Sequence, residues 1–312
     1  MLYQDLWYKG KLVEKGERDC ESRYEVIKNL AAKYKRPFTV LDIGANQGYF
    51  TVRLAEEFPH CTVIAIEPNK AYDLKNRLSY LDNVIVLEKV ISVEELKQLS
   101  RCEWFGLVIC TSVLHCIDNF TPFEDILDVV KQLGPHIVLE LPTEKLSLGT
   151  RHDEMMKLID SLGEPVLQVP SHVDLTVTRP LFVVKGNPPQ TNRCSRFGTD
   201  YVAKKKLKMN FSKAEVTFVN KNITRAWIPG INLWTYLQLD GIYPSRQTLA
   251  QMIKDADWDK HHDIVPWNVV LSGNKVSVID KNDPGHPEEA PLTNVDKIVD
   301  FVLSGEKQYN QE

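Results

Sequence analysis

Between residues 38 and 142, short and almost wholly apolar runs alternate with stretches whose apolar positions return every three or four residues. The runs Phe38–Asp42, Thr62–Glu67, Asn83–Leu87, Phe105–Thr111 and His136–Leu141 are rich in β-branched residues and predict buried strands. Between them, Tyr49–Phe58 repeats Phe50, Leu54 and Phe58 at a spacing of four, which predicts a helix. Ala71–Tyr80, Val93–Leu99 and Phe123–Leu133 predict three more. Strand and helix in this rhythm imply βαβ crossovers, hence an α/β fold with a parallel sheet covered on both faces.

A further helix is predicted over about Arg151–Leu162, followed by strands at Pro165–Val169 and Thr178–Val184. The link between those two strands is too short for a crossover, so they pair antiparallel and close the sheet. The stretch Gly186-Asn187-Pro188-Pro189-Gln190-Thr191-Asn192 holds turn formers without periodicity. It divides the chain into a first domain, residues 1–186, and a smaller α+β segment, residues 193–312.

Composition narrows the function classes. With 312 residues, 43% hydrophobic and 26% charged, the chain is long enough for one large domain or two modest ones. A net charge of -4 offers no electrostatic reason for DNA or an anionic membrane as partner. No apolar run approaches the roughly 20 residues of a membrane helix, and the N-terminus has no signal-like apolar core. The expectation is a soluble cytoplasmic protein without membrane insertion; the oligomeric state stays open. The six cysteines form no C-x-x-C pair, so no metal site is expected.

The chemistry concentrates where the first strand ends. Asp42 leads into a turn carrying Gly44, Asn46 and Gly48, and a helix follows. Glycines let the backbone approach a ligand closely, at the carboxyl ends of the strands. The spacing is D-x-G-x-x-x-G, unlike the G-x-G-x-x-G that packs against a pyrophosphate. The second strand ends in Glu67, placed to accept ribose hydroxyls, with Pro68-Asn69 next. A nucleotide-binding domain of another kind, such as a dehydrogenase, is the competing reading.

Val40-Leu41-Asp42-Ile43-Gly44-Ala45-Asn46-Gln47-Gly48 and Ile64-Ala65-Ile66-Glu67-Pro68-Asn69 resemble motifs I and II of the class I S-adenosylmethionine-dependent methyltransferases. The resemblance spans roughly residues 36–185 and implies a Rossmann-like sheet, mostly parallel with an antiparallel last strand. It also implies S-adenosylmethionine as cofactor, with the glycine turn under its methionine part and Glu67 on the ribose. That family places an acidic or polar residue after the third strand for adenine. Here Glu88-Lys89-Val90-Ile91-Ser92 has no clear acid at the strand's end, and adenine recognition stays unassigned.

Methyl transfer from a sulfonium is an in-line displacement, in which the enzyme mainly aligns the reactants and supplies a base for a hydroxyl acceptor. Leu107-Val108-Ile109-Cys110-Thr111-Ser112-Val113-Leu114-His115 resembles the family's motif IV, which places Cys110 at the cofactor. His115 is the first candidate for general base, since imidazole titrates near neutral pH, although a histidine capping the turn reads the same way. Glu140 is a carboxylate within an apolar strand, which calls for a partner or a site. Asp118 and His172 are further candidates for the acceptor pocket. Arg18 and Arg23 open the helix preceding the first strand and suit the methionine carboxylate, or else are simply solvated. No N/D-P-P-Y motif follows the fourth strand, which favours an oxygen acceptor or a small molecule over adenine in DNA.

The second segment carries His261-His262-Asp263-Ile264-Val265-Pro266-Trp267-Asn268, the H-x-D-x-x-P-x-N form of the protein-kinase catalytic loop. Asp280 stands where a second metal-binding aspartate would be, and Tyr201-Val202-Ala203-Lys204 looks like the strand bearing the kinase lysine. Only 59 positions separate Lys204 from Asp263, no glycine-rich loop precedes Lys204, and Lys281-Asn282 replaces Phe-Gly. The expectation is a reduced kinase-like domain. Trp227–Tyr236 is aromatic enough for a core helix or a sugar-stacking surface.

A methyltransferase joined to a kinase-like segment is similar to the bifunctional enzymes that cap bacterial O-antigen chains. By that analogy the leading expectation is an O-methyltransferase acting on a carbohydrate or small hydroxylated acceptor. The rivals are an ATP-dependent glycan kinase, a protein or RNA methyltransferase, and a non-catalytic protein retaining a cofactor fold.

Overall fold

The computed structural model describes residues 2–188, 207–210, 215–218, 223–226, 228–256, 258, 266–278 and 293–306. The chain opens with a hairpin, β1 (Leu6–Tyr8) and β2 (Lys11–Glu14), followed by α1 (Cys20–Ala31). The hairpin was not expected from pattern, because neither strand is buried on one face. Its two-residue turn, Lys9-Gly10, has positive φ at both positions (48° and 75°), which suits the twist of paired strands.

The alternating region then supplies β3 (Phe38–Ile43), α2 (Tyr49–Glu57), β4 (Cys61–Ile66), α3 (Ala71–Leu78), β5 (Val84–Leu87) and α4 (Val93–Cys102). It continues with β6 (Leu107–Thr111), α5 (Leu114–Ile117), α6 (Phe123–Lys131) and β7 (His136–Glu140). Next come α7 (Lys145–Leu148), α8 (His152–Leu162), β8 (Leu167–Pro170) and β9 (Thr178–Lys185). Every residue of β3, β4, β5 and β6 is buried, as expected of strands covered on both faces. β3 lies between β4 and β6, parallel to both, and β9 runs antiparallel to β7 and β8. The sheet thus mixes parallel and antiparallel strands in the Rossmann-like arrangement the sequence implied.

Beyond residue 188 the described elements are β10 (Leu207–Asn210), β11 (Glu215–Phe218), β12 (Ile223–Ala226), β13 (Ile231–Asn232), α9 (Leu233–Gln238), β14 (Gly241–Tyr243) and α10 (Arg246–Lys254). They end with β15 (Val269–Leu271), β16 (Val276–Val278) and α11 (Thr293–Ser304). β14 joins the main sheet antiparallel to β5, giving the order β14-β5-β4-β3-β6-β7-β9-β8.

The described residues from 228 onward pack against the first 186. Ile231, Leu233 and Leu237 share one apolar cluster with Ile64, Ile85 and Leu96. Polar ties reinforce the junction: Gly230 N–H donates to Thr39 Oγ1 (2.8 Å), Asn232 N–H to Glu103 Oε1 (3.0 Å) and Tyr243 Oη to the Leu81 carbonyl (3.1 Å). Leu233 and Tyr236 of the aromatic stretch are buried, as is Leu237 next to it, which makes that helix part of the core. Among the described residues no helix is long and apolar enough to cross a membrane.

Candidate functional site

The glycine turn sits at the carboxyl end of β3, between β4 and β6. Gly44, Asn46 and Gly48 all have positive φ (73°, 53° and 76°), so the turn doubles back sharply before α2. Gly44 and Ala45 donate their N–H groups to the Ile66 carbonyl at 2.9 and 3.1 Å, which ties the turn to the end of β4. A Cβ on Gly48 would lie 2.2 Å from Leu74 Cδ1, and one on Gly44 2.8 Å from Val113 Cγ2. Neither position has room for a larger residue.

Glu67, buried at the end of β4, accepts the Asn46 N–H at Oε2 (2.8 Å) and the Asn69 and Lys70 N–H groups at Oε1 (2.7 and 3.1 Å). Pro68 lies between Glu67 and the amides it receives. Asp42 is buried beneath the turn and accepts a 2.7 Å bond from Thr51 Oγ1. Burial pushes its carboxyl up to about 7, with the nearby Glu67 adding to the effect.

A second polar cluster forms at the same sheet edge. Glu140, fully buried at the end of β7, takes Arg18 Nη2 on Oε1 and Arg23 Nε on Oε2. Ser112, just past β6, donates to Glu140 Oε1 at 2.5 Å and accepts from Arg18 Nη2 (3.1 Å) and Arg179 Nη1 (2.9 Å). Arg179 in turn donates Nε to Glu144 Oε1 at 2.7 Å. Arg18 Nη1 donates to Tyr3 Oη at 2.7 Å, and the Tyr3 ring meets His172 edge-on with centroids 4.8 Å apart.

Burial opposes charge on Glu140, but the guanidiniums of Arg18 and Arg23 outweigh it and hold the carboxyl below the usual range. Glu144 is held at about 2: burial opposes ionisation there too, and bonds from Arg179 and Ser171 overcome it. Three buried arginines thus face two buried carboxylates, leaving one positive charge in excess. Arg18 Nε, also buried, has no partner among the described residues.

The cluster changes the reading of several candidates. Glu140 has the partner its burial required, and it is an ion-pair hub rather than a free proton acceptor. Arg18 and Arg23 are not solvated: both are buried against Glu140. His115 lies near Arg179 and Glu144 with Nδ1 unpartnered among the described residues. Burial and the Arg179 charge push its pKa down to about 4, so the near-neutral titration expected of it is absent.

Asp118 is spent in its own loop. It accepts the N–H groups of Phe120 (2.6 Å) and Thr121 (3.2 Å), and these bonds hold its carboxyl below the usual range. Cys110 is enclosed in the apolar core between Ile43 and Leu139, where burial pushes its thiol up to about 12; it packs the sheet and has no exposed surface toward the turn.

Sequence reasoning missed Arg179, Glu144, Ser112 and Tyr3. Arg179 carried the same signal as Glu140, a charge within an apolar strand. Ser112 carried none, because its positive φ of 57° is not legible from a serine. Lys204, His261–Val265 and Asp280, which carry the kinase-like resemblance, lie outside the described residues.

The chain matches no protein-family model and no curated protein. Among solved structures it is similar to the bifunctional kinase-methyltransferase WbdD, at 17% identity over 93% of this chain and 81% of that one, with a TM-score of 0.44. It is also similar to the N-terminal domain of EvdMO1 in the presence of S-adenosylhomocysteine and D-fucose (14% identity, 60% of this chain, 91% of that one, TM-score 0.42). A third is the N-methyltransferase NodS from Bradyrhizobium japonicum WM9, in complex with S-adenosylhomocysteine (19% identity, 54% of this chain, 87% of that one, TM-score 0.41).

Proposed function

We propose that this protein is an S-adenosylmethionine-dependent O-methyltransferase acting on a hydroxyl of a carbohydrate or small hydroxylated acceptor. The observation that carries the cofactor half is Glu67. Its carboxylate stands at the end of β4 against the glycine turn and is anchored there by the Asn46 N–H. A carboxylate so placed suits a ribose diol, and the glycines keep side chains out of the approach.

The residues fit the cofactor's other end as well. One excess positive charge and the unpartnered Arg18 Nε suit a single carboxylate, such as that of the methionine part. When bound, the cofactor supplies an electrophilic methyl on a sulfonium. Asp42, Gly44, Asn46, Gly48 and Glu67 would bind and orient it, with Arg18 and Arg23 at its carboxylate. His115, neutral at physiological pH, is a weak base, so the rate would rest mainly on alignment. The choice of a sugar hydroxyl as acceptor rests on the resemblance of the sequence to the bifunctional enzymes that cap O-antigen chains.

Calorimetry with S-adenosylhomocysteine tests the cofactor half: wild-type protein binds and Glu67→Ala binds far more weakly. No binding by wild type, or equal binding by both, overturns the reading. Transfer of radiolabelled methyl to protein or RNA extracts, but not to glycan fractions, would reject the sugar acceptor alone.

A further inference from the structure

Ser112 occupies an unusual position in the arginine cluster. It follows β6 directly, and its φ of 57° lies in the left-handed region that non-glycine residues seldom occupy. Its hydroxyl is fully used: the one proton goes to Glu140 Oε1, and the oxygen accepts from both Arg18 and Arg179. Its backbone N–H also donates to the Glu140 carbonyl at 3.0 Å. One small oxygen therefore holds two like-charged guanidiniums that come from opposite ends of the domain. Arg18 precedes α1, whereas Arg179 lies in β9.

Without that oxygen, Arg18 would keep its pair with Glu140 and Arg179 would stay 3.9 Å from the same carboxylate, but the hydrogen-bonded link between the two guanidiniums would be lost. Alanine would keep the backbone strain while removing the bonds, and glycine would remove both. Strain retained at a polar hub, where glycine would relieve it, is the mark of a side chain needed for what it holds.

We propose that Ser112 is a positioning residue, which fixes Arg18 for the cofactor carboxylate by coupling it to Arg179 and Glu140. The proposal rests on the methyltransferase reading. It goes beyond that reading in assigning the geometry of the arginines to a residue whose hydroxyl is spent on them and on Glu140.

The test uses the full chain, S-adenosylhomocysteine calorimetry and thermal unfolding of Ser112→Gly and Ser112→Asn. Glycine relieves the left-handed strain, so the Ser112→Gly midpoint is expected to stay within a few degrees of wild type. Its affinity is expected to fall about tenfold, the effect of one charge-assisted bond. Asparagine tolerates the same φ and presents both an acceptor and a donor, so it should restore most of the affinity.

Wild-type binding with an equally tight Ser112→Gly overturns this assignment and leaves the methyltransferase reading standing. Loss of midpoint and affinity together in both variants makes Ser112 structural and also overturns it. No binding by wild type fails the methyltransferase reading itself, and the proposal with it.

Discussion

Asn46 donates its backbone N–H to Glu67 Oε2 at 2.8 Å, joining the glycine turn after β3 to the acid that ends β4. The two residues are 21 positions apart, and the bond presets the turn before any ligand arrives. Glu67→Gln keeps the shape but halves the acceptor capacity and removes the charge. S-adenosylhomocysteine affinity is expected to drop by about 10- to 100-fold, the range for losing charge-assisted bonds, as read by calorimetry.

Asp42 makes stability depend on pH in the opposite sense to a salt-bridged acid. Its carboxyl ionises at about 7 in the folded protein, against about 4 in an unfolded chain. Between those values the folded state holds a proton that the unfolded state has released. Stability is therefore greatest below pH 4 for this group and declines as pH rises toward 7. Thermal midpoints of ligand-free wild type should fall from pH 5 to pH 8 by more than those of Asp42→Asn. Equal slopes would remove Asp42 as the source.

Glu140→Ala would leave Arg18 and Arg23 buried without their counter-charge. Removing one partner of a buried pair typically costs about 3–5 kcal/mol. Urea unfolding should show a loss of that order, and a variant within about 1 kcal/mol of wild type would mean the arginines find water instead.

Gly48→Ala places a methyl 2.2 Å from Leu74 Cδ1 at a φ of 76°. The left-handed backbone alone costs about 1–2 kcal/mol. Leu74 must also move, so denaturant unfolding should show at least that loss, accompanied by weaker cofactor binding.

Cutting the chain after residue 188 would uncover the β5 edge that β14 pairs and the apolar surface beneath Ile231, Leu233 and Leu237. The truncated protein is expected to aggregate at concentrations where the full chain stays monodisperse in size-exclusion chromatography. A soluble truncation with a cooperative melt at the wild-type midpoint would show that the docked segment contributes nothing to stability.

The central sheet was legible because its strands are buried on both faces, and an apolar run between helical periodicities has few other readings. The turn at Gly44–Gly48 was legible for the same kind of local reason: glycine spacing follows directly from backbone conformation. The hairpin β1–β2 was not, since its short strands carry no burial pattern, and its turn uses lysine where asparagine would have announced it. His115, Asp118 and Cys110 were expected at the site from their positions at and after β6. Their expected roles depended on burial and hydrogen bonding, which no residue type states.

What the sequence by itself determined is whatever is local: periodicity, glycine spacing, an acid at a strand's end and a charge misplaced in an apolar strand. Only the tertiary structure decided which charges meet. Arg18 and Glu140 are 122 positions apart, and Ser112 and Arg179 are 67 apart. Such pairs are brought together by strand order, and strand order follows from the whole core rather than from any one segment. The same holds for β14, whose three residues have no pattern of their own and become a strand because the β5 edge has unpaired backbone groups to satisfy.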